Sequence, residues 1–279
     1  MHSKPAIPGR VAAIALAGAL ALSGCAAIAP RSEADRAPQR ADAPPAGGAR
    51  AAAQASPRAA EPALPRFSAS VDEASPPNGW QPWIIHPRKR KTSYRIVREA
   101  GVPVLSASAS GSASGLMARV AVDPKLKPML RWRWRVDALV PDADNGDGAR
   151  EDSPVRVVLA FDGDKSALPI ADRMFFERVK ILSGNDLPYA TLMYIWENRR
   201  PVGTVLKNPH SGRIRKVVVD SGPGELKRWR LHRRNIVEDY RRAFGAEPGR
   251  LIGVAVLTDT DNTGASVSAA YGDIELLER

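Results

Sequence analysis

Apolar and polar residues alternate along much of the second half of the chain. The clearest case is the segment 131–136, in which every second residue is apolar. Because successive side chains of a β-strand point to opposite faces, Trp132, Trp134 and Val136 are predicted to face a core. The three intervening arginines then share the opposite face, which is either solvated or covered by another element that pairs with them.

Other segments are β-branched or aromatic and are bounded by Gly, Pro, Asn or Asp, as strands are. Several of them, such as 155–162, are apolar on both faces, which suits central strands. The remaining predicted strands are 94–99, 102–107, 116–122, 190–197, 202–206, 214–220, 251–258 and 266–277. Some ten strands with few helices predict a mainly β fold, a two-layer antiparallel β-sandwich of the jelly-roll type with two covering helices.

The two predicted helices are segments 171–182 and 225–244. Each has apolar residues at helical spacing and a glycine just after its end, Gly184 and Gly245. The second helix also carries five arginines on its other face. Such a basic amphipathic helix either covers the side or end of a sheet or lies on a membrane surface.

The first 25 residues have the pattern of an export signal. A basic start is followed by a short apolar stretch, 11–21, that is too short to span a bilayer. The residues Leu22, Ser23, Gly24 and Cys25 that follow resemble a bacterial lipobox. The resemblance implies that the Cys25 thiol is lipidated and becomes the first residue of the mature protein. An ordinary cleaved signal peptide is the alternative.

Residues 26–66 are predicted to be a disordered tether, and residues 67–279 a single β-sandwich domain. Residues 31–66 include 13 alanines and 6 prolines, too little large apolar surface to offset the chain entropy of folding. Ala26 follows the cysteine, and by resemblance to enterobacterial lipoproteins the absence of an aspartate there implies the outer membrane, facing the periplasm. Since Cys25 is the only cysteine, lipidation would leave no thiol for a disulfide or a zinc site.

The formal net charge of the chain is +11. For an exported protein, the available polyanions are phospholipids, lipopolysaccharide phosphates and cell-wall carboxylates, so we expect no nucleic-acid partner. The expected partners are the lipid bilayer, through acylated Cys25, and a glycan or another anionic envelope component. Solvated surface charge is the alternative explanation for the basic runs 88–91 and 228–234.

The acidic segment 259–264 begins like a calcium-binding loop, with carboxylates at alternate positions and a glycine at the turn. A complete EF-hand is excluded, because Ala270 stands where the last glutamate would lie. One interpretation is a structural calcium site formed by Asp259 and Asp261 and completed by Asp273. The other is a tight turn whose side chains cap backbone amides.

A second candidate site lies at the end of the predicted strand 190–197. Trp196, Glu197 and Asn198 combine an aromatic face, a carboxylate and an amide, which is typical of sugar-binding sites. Asp152 and Arg156 are predicted to join them as ligand-binding residues. The alternative is a strand end with Trp196 in the core. No zinc-protease motif, phosphate loop or dinucleotide fingerprint occurs in the sequence.

Several motifs in order resemble a bacterial family of secreted proteins classed as domain of unknown function 3047, over about residues 78–279. The family implies the extent of the domain but no activity. The closing segment 271–276 is similar, more weakly, to the last strand of jelly-roll carbohydrate-binding modules, which implies that Asp273 ligates structural calcium. The motifs that carry the family resemblance are segments 132–134, 151–156, 194–198, 201–204, 238–245, 258–264 and 271–274.

These observations predict a membrane-anchored envelope lipoprotein with a non-catalytic binding domain for a glycan or another envelope ligand. One alternative is a hydrolase or lyase that acts on envelope polysaccharide, with Glu197 and either Asp152 or Asp259 as its acids. The other is a structural or assembly partner. Two carboxylates flanking one open cleft would favour the enzyme, and a flat aromatic platform would favour the binding domain. The structural role would be favoured by burial of all five candidate residues, Trp196, Glu197, Asp152, Asp259 and Asp261.

Overall fold

A computed structural model of the chain describes residues 63–71 and 79–279. Cys25, the predicted signal peptide and the tether as far as residue 62 therefore lie outside the described residues. All described residues belong to one compact unit, Pro57–Arg279.

Two β-sheets make up most of the described chain, and they confirm the predicted mainly β sandwich. The seven-stranded sheet has the strand order β1-β4-β11-β6-β7-β9-β8, and the five-stranded sheet has the order β10-β5-β12-β3-β2. Paired strands are antiparallel except β7 and β9, which are parallel. The strands are β1 (Trp80–Trp83), β2 (Ser93–Glu99), β3 (Val102–Ser110), β4 (Ala113–Val122), β5 (Met129–Val136), β6 (Ser153–Phe161), β7 (Ala190–Glu197), β8 (Val205–Lys207), β9 (Ile214–Ser221), β10 (Arg230–Asn235), β11 (Leu251–Asp259) and β12 (Ser266–Leu277).

The main core lies between the two sheets, and strand β5 contributes its tryptophans to it. Trp132, Trp134 and Val136 are buried, as the alternation predicts. The Trp132 ring stacks on Tyr194 of the opposite sheet, with ring centroids 4.8 Å apart. The predicted register of β5 is confirmed, because a shift by one residue would have placed its arginines in this core.

The arginines of β5 occupy the outer face of the five-stranded sheet. Arg131 pairs with Glu275 of β12, with Nε 2.7 Å from a carboxylate oxygen. Trp229, which precedes β10, lies over Arg133 with 4.7 Å between the guanidinium carbon and the ring centroid. The arginine face is therefore partly covered, but by a loop tryptophan and acidic neighbours rather than by a helix.

The first predicted helix is confirmed, and it extends one residue further at each end as α1 (Ile170–Ser183). Gly184 ends it in the left-handed conformation, with φ of 73°. Buried Asp172 fixes α1 to the loop before β9, because it accepts hydrogen bonds from the Ser211 hydroxyl at 2.7 Å and the Gly212 amide at 2.9 Å.

The second predicted helix is wrong in its first half. Residues Arg230–Asn235 form the edge strand β10 beside β5, and only α2 (Ile236–Phe244) is helical. The Asn235 side chain caps α2 by accepting hydrogen bonds from the amides of Val237 and Glu238. Ile236, Val237 and Tyr240 of α2 are buried, and the half-buried Phe244 packs against the core, so the apolar side of α2 faces the protein. Among the described residues, no helix is both long and apolar enough to cross a membrane.

Residues 63–66, which the sequence assigned to the tether, pack against the sandwich. Leu64 and Phe67 are buried, and the Phe67 ring lies 4.8 Å from that of Trp80 in β1, a strand that the sequence pattern did not predict. The Trp80 indole nitrogen also donates to the carbonyl of Pro65 at 2.9 Å. Leu64 and Pro65 therefore pack as part of the β-sandwich.

Candidate functional site

The predicted acidic turn follows β11 and meets the start of β6. One carboxylate oxygen from each of Asp152, Asp259 and Asp261 lies within 4.8 Å of the other two. Asp152 accepts hydrogen bonds from the backbone amides of Asn262 at 3.2 Å and Thr263 at 2.7 Å. Asp152, in the loop before β6, thus caps the turn, a contact that the sequence alone did not indicate.

Asp259 forms a buried, two-pronged ion pair with Arg156. The Arg156 Nε lies 3.1 Å and Nη2 3.0 Å from the two carboxylate oxygens, and the Ser153 amide donates to the same carboxylate at 3.0 Å. Burial raises the pKa of Asp259 to about 6, whereas the Arg156 charge opposes that rise. Asp261, the most exposed of the three aspartates, pairs with Lys89.

Calcium binding at this turn stays a prediction. Three oxygens this close suit a hard cation, but the Asp152, Asp259 and Asp261 carboxylates already have protein partners. Asp273, the predicted additional ligand, is not a member of this group. It accepts hydrogen bonds instead from the Ser68 amide at 2.9 Å and hydroxyl at 2.5 Å. These contacts favour the turn interpretation.

The predicted sugar-binding end of β7 is closed. Trp196 is fully buried, and its indole nitrogen donates to the Gly222 carbonyl at 3.1 Å. The prediction that Trp196 offers a stacking surface is therefore wrong, because its ring belongs to the core between the sheets. The Asn198 side-chain amide donates to the carbonyls of Val140 and Ala143, so it holds the segment between β5 and β6 in place.

Glu197 is fully buried as well, and both of its carboxylate oxygens are bonded. The Asn145 amide nitrogen donates to one oxygen at 2.9 Å, and Arg200 Nη1 donates to the other at 3.0 Å. Asp152 and Arg156 are buried to 1% and 2% exposure. The predicted ligand-binding roles of these three side chains are not supported, since each faces protein rather than an open surface.

Sequence reasoning missed Lys216, which is fully buried on β9. Its ammonium donates to the Asn145 carbonyl at 2.9 Å and to the Glu151 carboxylate at 2.6 Å. Burial lowers the pKa of Lys216, and the nearby Arg156 charge lowers it further. A lysine directly before the three valines of β9 was the available signal, but its partners lie more than sixty residues away in the chain.

Together these contacts form one buried polar network that holds the loop 141–152 against the seven-stranded sheet. The loop supplies Asn145, Glu151 and Asp152, and the strands supply Arg156 and Lys216. The pairing of opposite charges and the hydrogen bonds compensate for burying them. The network therefore positions the loop and leaves its carboxylates committed to protein partners.

An open concavity lies elsewhere, along α1. This α1 groove has a volume of about 840 Å³, within the size range of ligand sites. Leu168 and Phe176 line its buried side. Its open side includes large apolar residues of α1 that are 66%, 68%, 80% and 55% exposed, respectively Ile170, Met174, Ile181 and Leu182.

Basic side chains border the α1 groove. Arg173 and Arg178 belong to its lining, and Lys180 is exposed on the same helix. Within the described part of the chain these three cations have no ion-pair partner, whereas Lys165 at the groove edge pairs with Asp186 at 2.9 Å. The groove thus combines apolar surface with unpaired positive charge.

The family described as "Protein of unknown function (DUF3047)" matches residues 78–275. The chain belongs to this family, as the ordered motifs predicted. No curated protein matches it in sequence.

Solved glycoside hydrolases are similar to it in fold only. The family 12 xyloglucanase from Bacillus licheniformis is 7% identical, with a TM-score of 0.40 over 78% of this chain and 99% of that one. Endoglucanase 3 of family GH12 from Trichoderma harzianum is 9% identical, with a TM-score of 0.35 over 78% and 97%. The glycoside hydrolase domain of Endo-D from Streptococcus pneumoniae R6 is 7% identical, with a TM-score of 0.29 over 72% of this chain and only 21% of that one. Likeness this distant carries no argument about activity.

Proposed function

We propose that this protein is a lipid-anchored lipoprotein of the bacterial cell envelope whose β-sandwich head is a non-catalytic binding domain. The anchor is Cys25, and the outer membrane facing the periplasm is its proposed location. The observation that carries the binding role is the α1 groove, since it is an open concavity with large apolar side chains exposed in it.

The state of the candidate acids supports a binding role over a catalytic one. A glycosidase needs two carboxyl groups that face one open substrate cleft. Glu197, Asp152 and Asp259 are buried, and hydrogen bonds or ion pairs hold each of them within the protein. Their burial is the outcome that favours a structural role for this network, whereas the α1 groove offers an open surface for binding.

The chemistry of the side chains in the α1 groove also indicates which kind of ligand it would bind. A sugar site typically has an exposed aromatic ring with polar groups around it, whereas the exposed residues of the α1 groove are aliphatic side chains and methionine. An apolar or amphipathic envelope component therefore fits it better than a glycan.

The anchor is tested by replacing Cys25 with alanine in the full chain and separating membrane from soluble fractions. We expect the wild-type protein in the membrane fraction and the Cys25→Ala protein released from it. Ala26→Ser, which leaves the cysteine in place, is the matched control and should stay with the membrane. A Cys25→Ala protein that stays membrane-bound to the wild-type degree would contradict lipid anchoring.

The non-catalytic part is tested with purified full-length protein on isolated envelope polysaccharide. We expect no release of reducing ends above that of a buffer control. Release by the wild-type protein that disappears in Glu197→Gln would overturn the proposal in favour of the hydrolase alternative.

A further inference from the structure

We propose that the exposed face of α1 docks on the surface of a bilayer that contains anionic phospholipid. This inference rests on the proposed function, because it identifies the envelope component that the α1 groove contacts. The occupant to which it commits is the lipid surface; a second copy of the chain is the competing occupant.

The spacing of the exposed apolar residues places three of them on one side of α1. Ile170, Met174 and Ile181 are separated by four and seven residues, so they project in one direction, with the charged Glu177 between the second and the third. They are the exposed members of a helix whose opposite side is held by Asp172 and Phe176. A helix fixed in this way presents its apolar stripe outward, as helices that lie in a membrane interface do.

The charge on this face matches an anionic surface. At 100° per residue, Arg173 and Lys180 fall on one side of the apolar stripe and Arg178 on the other. Glu177 is the acid that shares the stripe, so three cations face one anion. Basic residues beside an apolar stripe are the arrangement that attracts a helix to anionic lipid, with about 1 kcal/mol for each cation near the surface.

The tether makes the contact geometrically accessible. A coil of the length between Cys25 and Leu64 would reach roughly 30–40 Å on average. The reach of such a tether is similar to the width of the folded head. The head would therefore be able to contact the lipid surface in which Cys25 is anchored. Docking of this kind needs little intrinsic affinity, since anchoring converts it into an intramolecular event.

The head offers another basic run for comparison, at residues 88–91. Arg88, Arg90 and Lys91 are exposed there, but Lys89 is paired with Asp261, and the run is not part of an apolar stripe. It therefore supplies a matched set of three cations whose removal changes the net charge equally without touching α1.

The experiment uses the full-length protein with Met174 replaced by cysteine and labelled with an environment-sensitive fluorophore. Ser108→Cys, at an exposed position of β3, is the matched labelling control. Each protein is reconstituted in vesicles of phosphatidylcholine with brominated acyl chains, with or without phosphatidylglycerol. Bromine quenches a fluorophore only when it enters the acyl region.

We expect strong quenching at position 174 in vesicles with phosphatidylglycerol, weak quenching without it, and none at position 108. Replacing Arg173, Arg178 and Lys180 by glutamine should weaken docking about fivefold for each charge removed. The same three replacements at Arg88, Arg90 and Lys91 should leave the quenching unchanged. High salt should reduce it as well, because it screens the attraction.

Separate measurements distinguish failure of the lipid anchor from failure of docking by α1. Flotation of both labelled proteins with vesicles reports the anchor, and the parent chain should take up no label if Cys25 is acylated. Loss of flotation, or labelling of the parent, overturns the proposed function and this inference with it. Flotation without quenching at position 174 overturns docking alone. A blue shift at position 174 that rises with protein density, without quenching, assigns the face to a second copy and also overturns docking on lipid.

Discussion

At the residue scale, the contacts that organise the candidate site join side chains that are far apart in the chain. Arg156 of β6 pairs with Asp259 of β11, and Lys216 of β9 pairs with Glu151 of the loop before β6. At least one partner of each pair is buried, so the loss of the other partner would leave a buried charge uncompensated. The loss of unfolding free energy on removing one partner therefore measures how far the network is shielded from solvent.

Arg156→Met should lower the free energy of unfolding by roughly 3–5 kcal/mol, because Asp259 would stay buried without its partner. The double variant Arg156→Met/Asp259→Leu should recover most of this loss. Urea denaturation of the four proteins in the cycle gives the coupling free energy. The control is Lys165→Met in the exposed pair with Asp186, with an expected cost of about 1 kcal/mol or less. If Arg156→Met and Lys165→Met lowered the free energy of unfolding equally, the Arg156 pair would be solvated rather than buried.

A second residue-scale prediction concerns the pH dependence of stability at Asp220. Burial alone would raise the pKa of Asp220, but hydrogen bonds from His232 at 2.8 Å and Trp134 at 2.7 Å, with the Arg230 charge, lower it overall. A carboxyl whose pKa is lower in the folded state stabilises the protein above its unfolded pKa, about 3.9. That contribution is lost as the pH falls through the folded-state pKa.

Asp220→Asn should therefore reduce stability at pH 7, and its difference from the wild type should shrink as the pH falls below about 4. Urea denaturation over a pH series measures this, with the exposed Glu278→Gln as control. A difference that stays constant down to the lowest pH at which both proteins fold would contradict the assigned ionisation of Asp220.

At the element scale, the segment 225–244 shows how a partner strand overrides a helical pattern. Residues 230–235 pair with β5 along their whole length, and His232 stacks against Trp132, with ring centroids 4.9 Å apart. Pairing completes the edge of the five-stranded sheet and extends its aromatic core, which outweighs the helical propensity of the arginines and the leucine in this segment. The boundary between β10 and α2 is then set locally by Asn235.

Asn235→Ala should cost about 1 kcal/mol of stability, since it removes the side-chain acceptor for two amides at the start of α2. Asn235→Asp keeps an acceptor at the same place and should cost much less. Urea denaturation of both variants separates the capping contribution from other effects of substitution. If Asn235→Asp were as destabilising as Asn235→Ala, the contribution would lie in the Asn235 contact with Glu238 instead.

At the scale of the whole molecule, the head is defined by long-range packing that begins before β1. Phe67 and Leu64 enter the same core as the tryptophans of β5, and Arg66 pairs with Glu275 at the far end of the chain. Residues that read as a tether in sequence therefore close one part of the sandwich. This changes where the proposed tether would meet the folded domain.

Phe67→Ala should lower the free energy of unfolding by about 3–5 kcal/mol, because the ring is fully buried against Trp80. Val71→Ala, four residues further on at a position 94% exposed, should change it very little. Thermal and urea unfolding of the full-length variants provide the measurement. A small loss for Phe67→Ala would mean that the segment 63–71 is dispensable for the stability of the head.

The sequence by itself determined the fold class and most of the strands. Alternation with a period of two placed Trp132 and Trp134 inside, because side-chain direction in a strand follows from backbone geometry alone. The end of α1 at Gly184 could be predicted for a similar reason, since the left-handed conformation that ends a helix favours glycine. The ordered motifs likewise gave the family and the extent of its match.

Only the tertiary structure decided which polar residues meet and which surfaces stay open. Trp196 and Glu197 have the same local pattern whether a strand end faces solvent or core, and packing of the second sheet decides between them. The partners of Lys216 and Asp152 depend on how loops fold back over the sheet. The exposure of Ile170, Met174 and Ile181 on α1 is likewise a matter of what covers the helix, because amphipathic spacing fixes a stripe on a helix but not the surface against which that stripe packs.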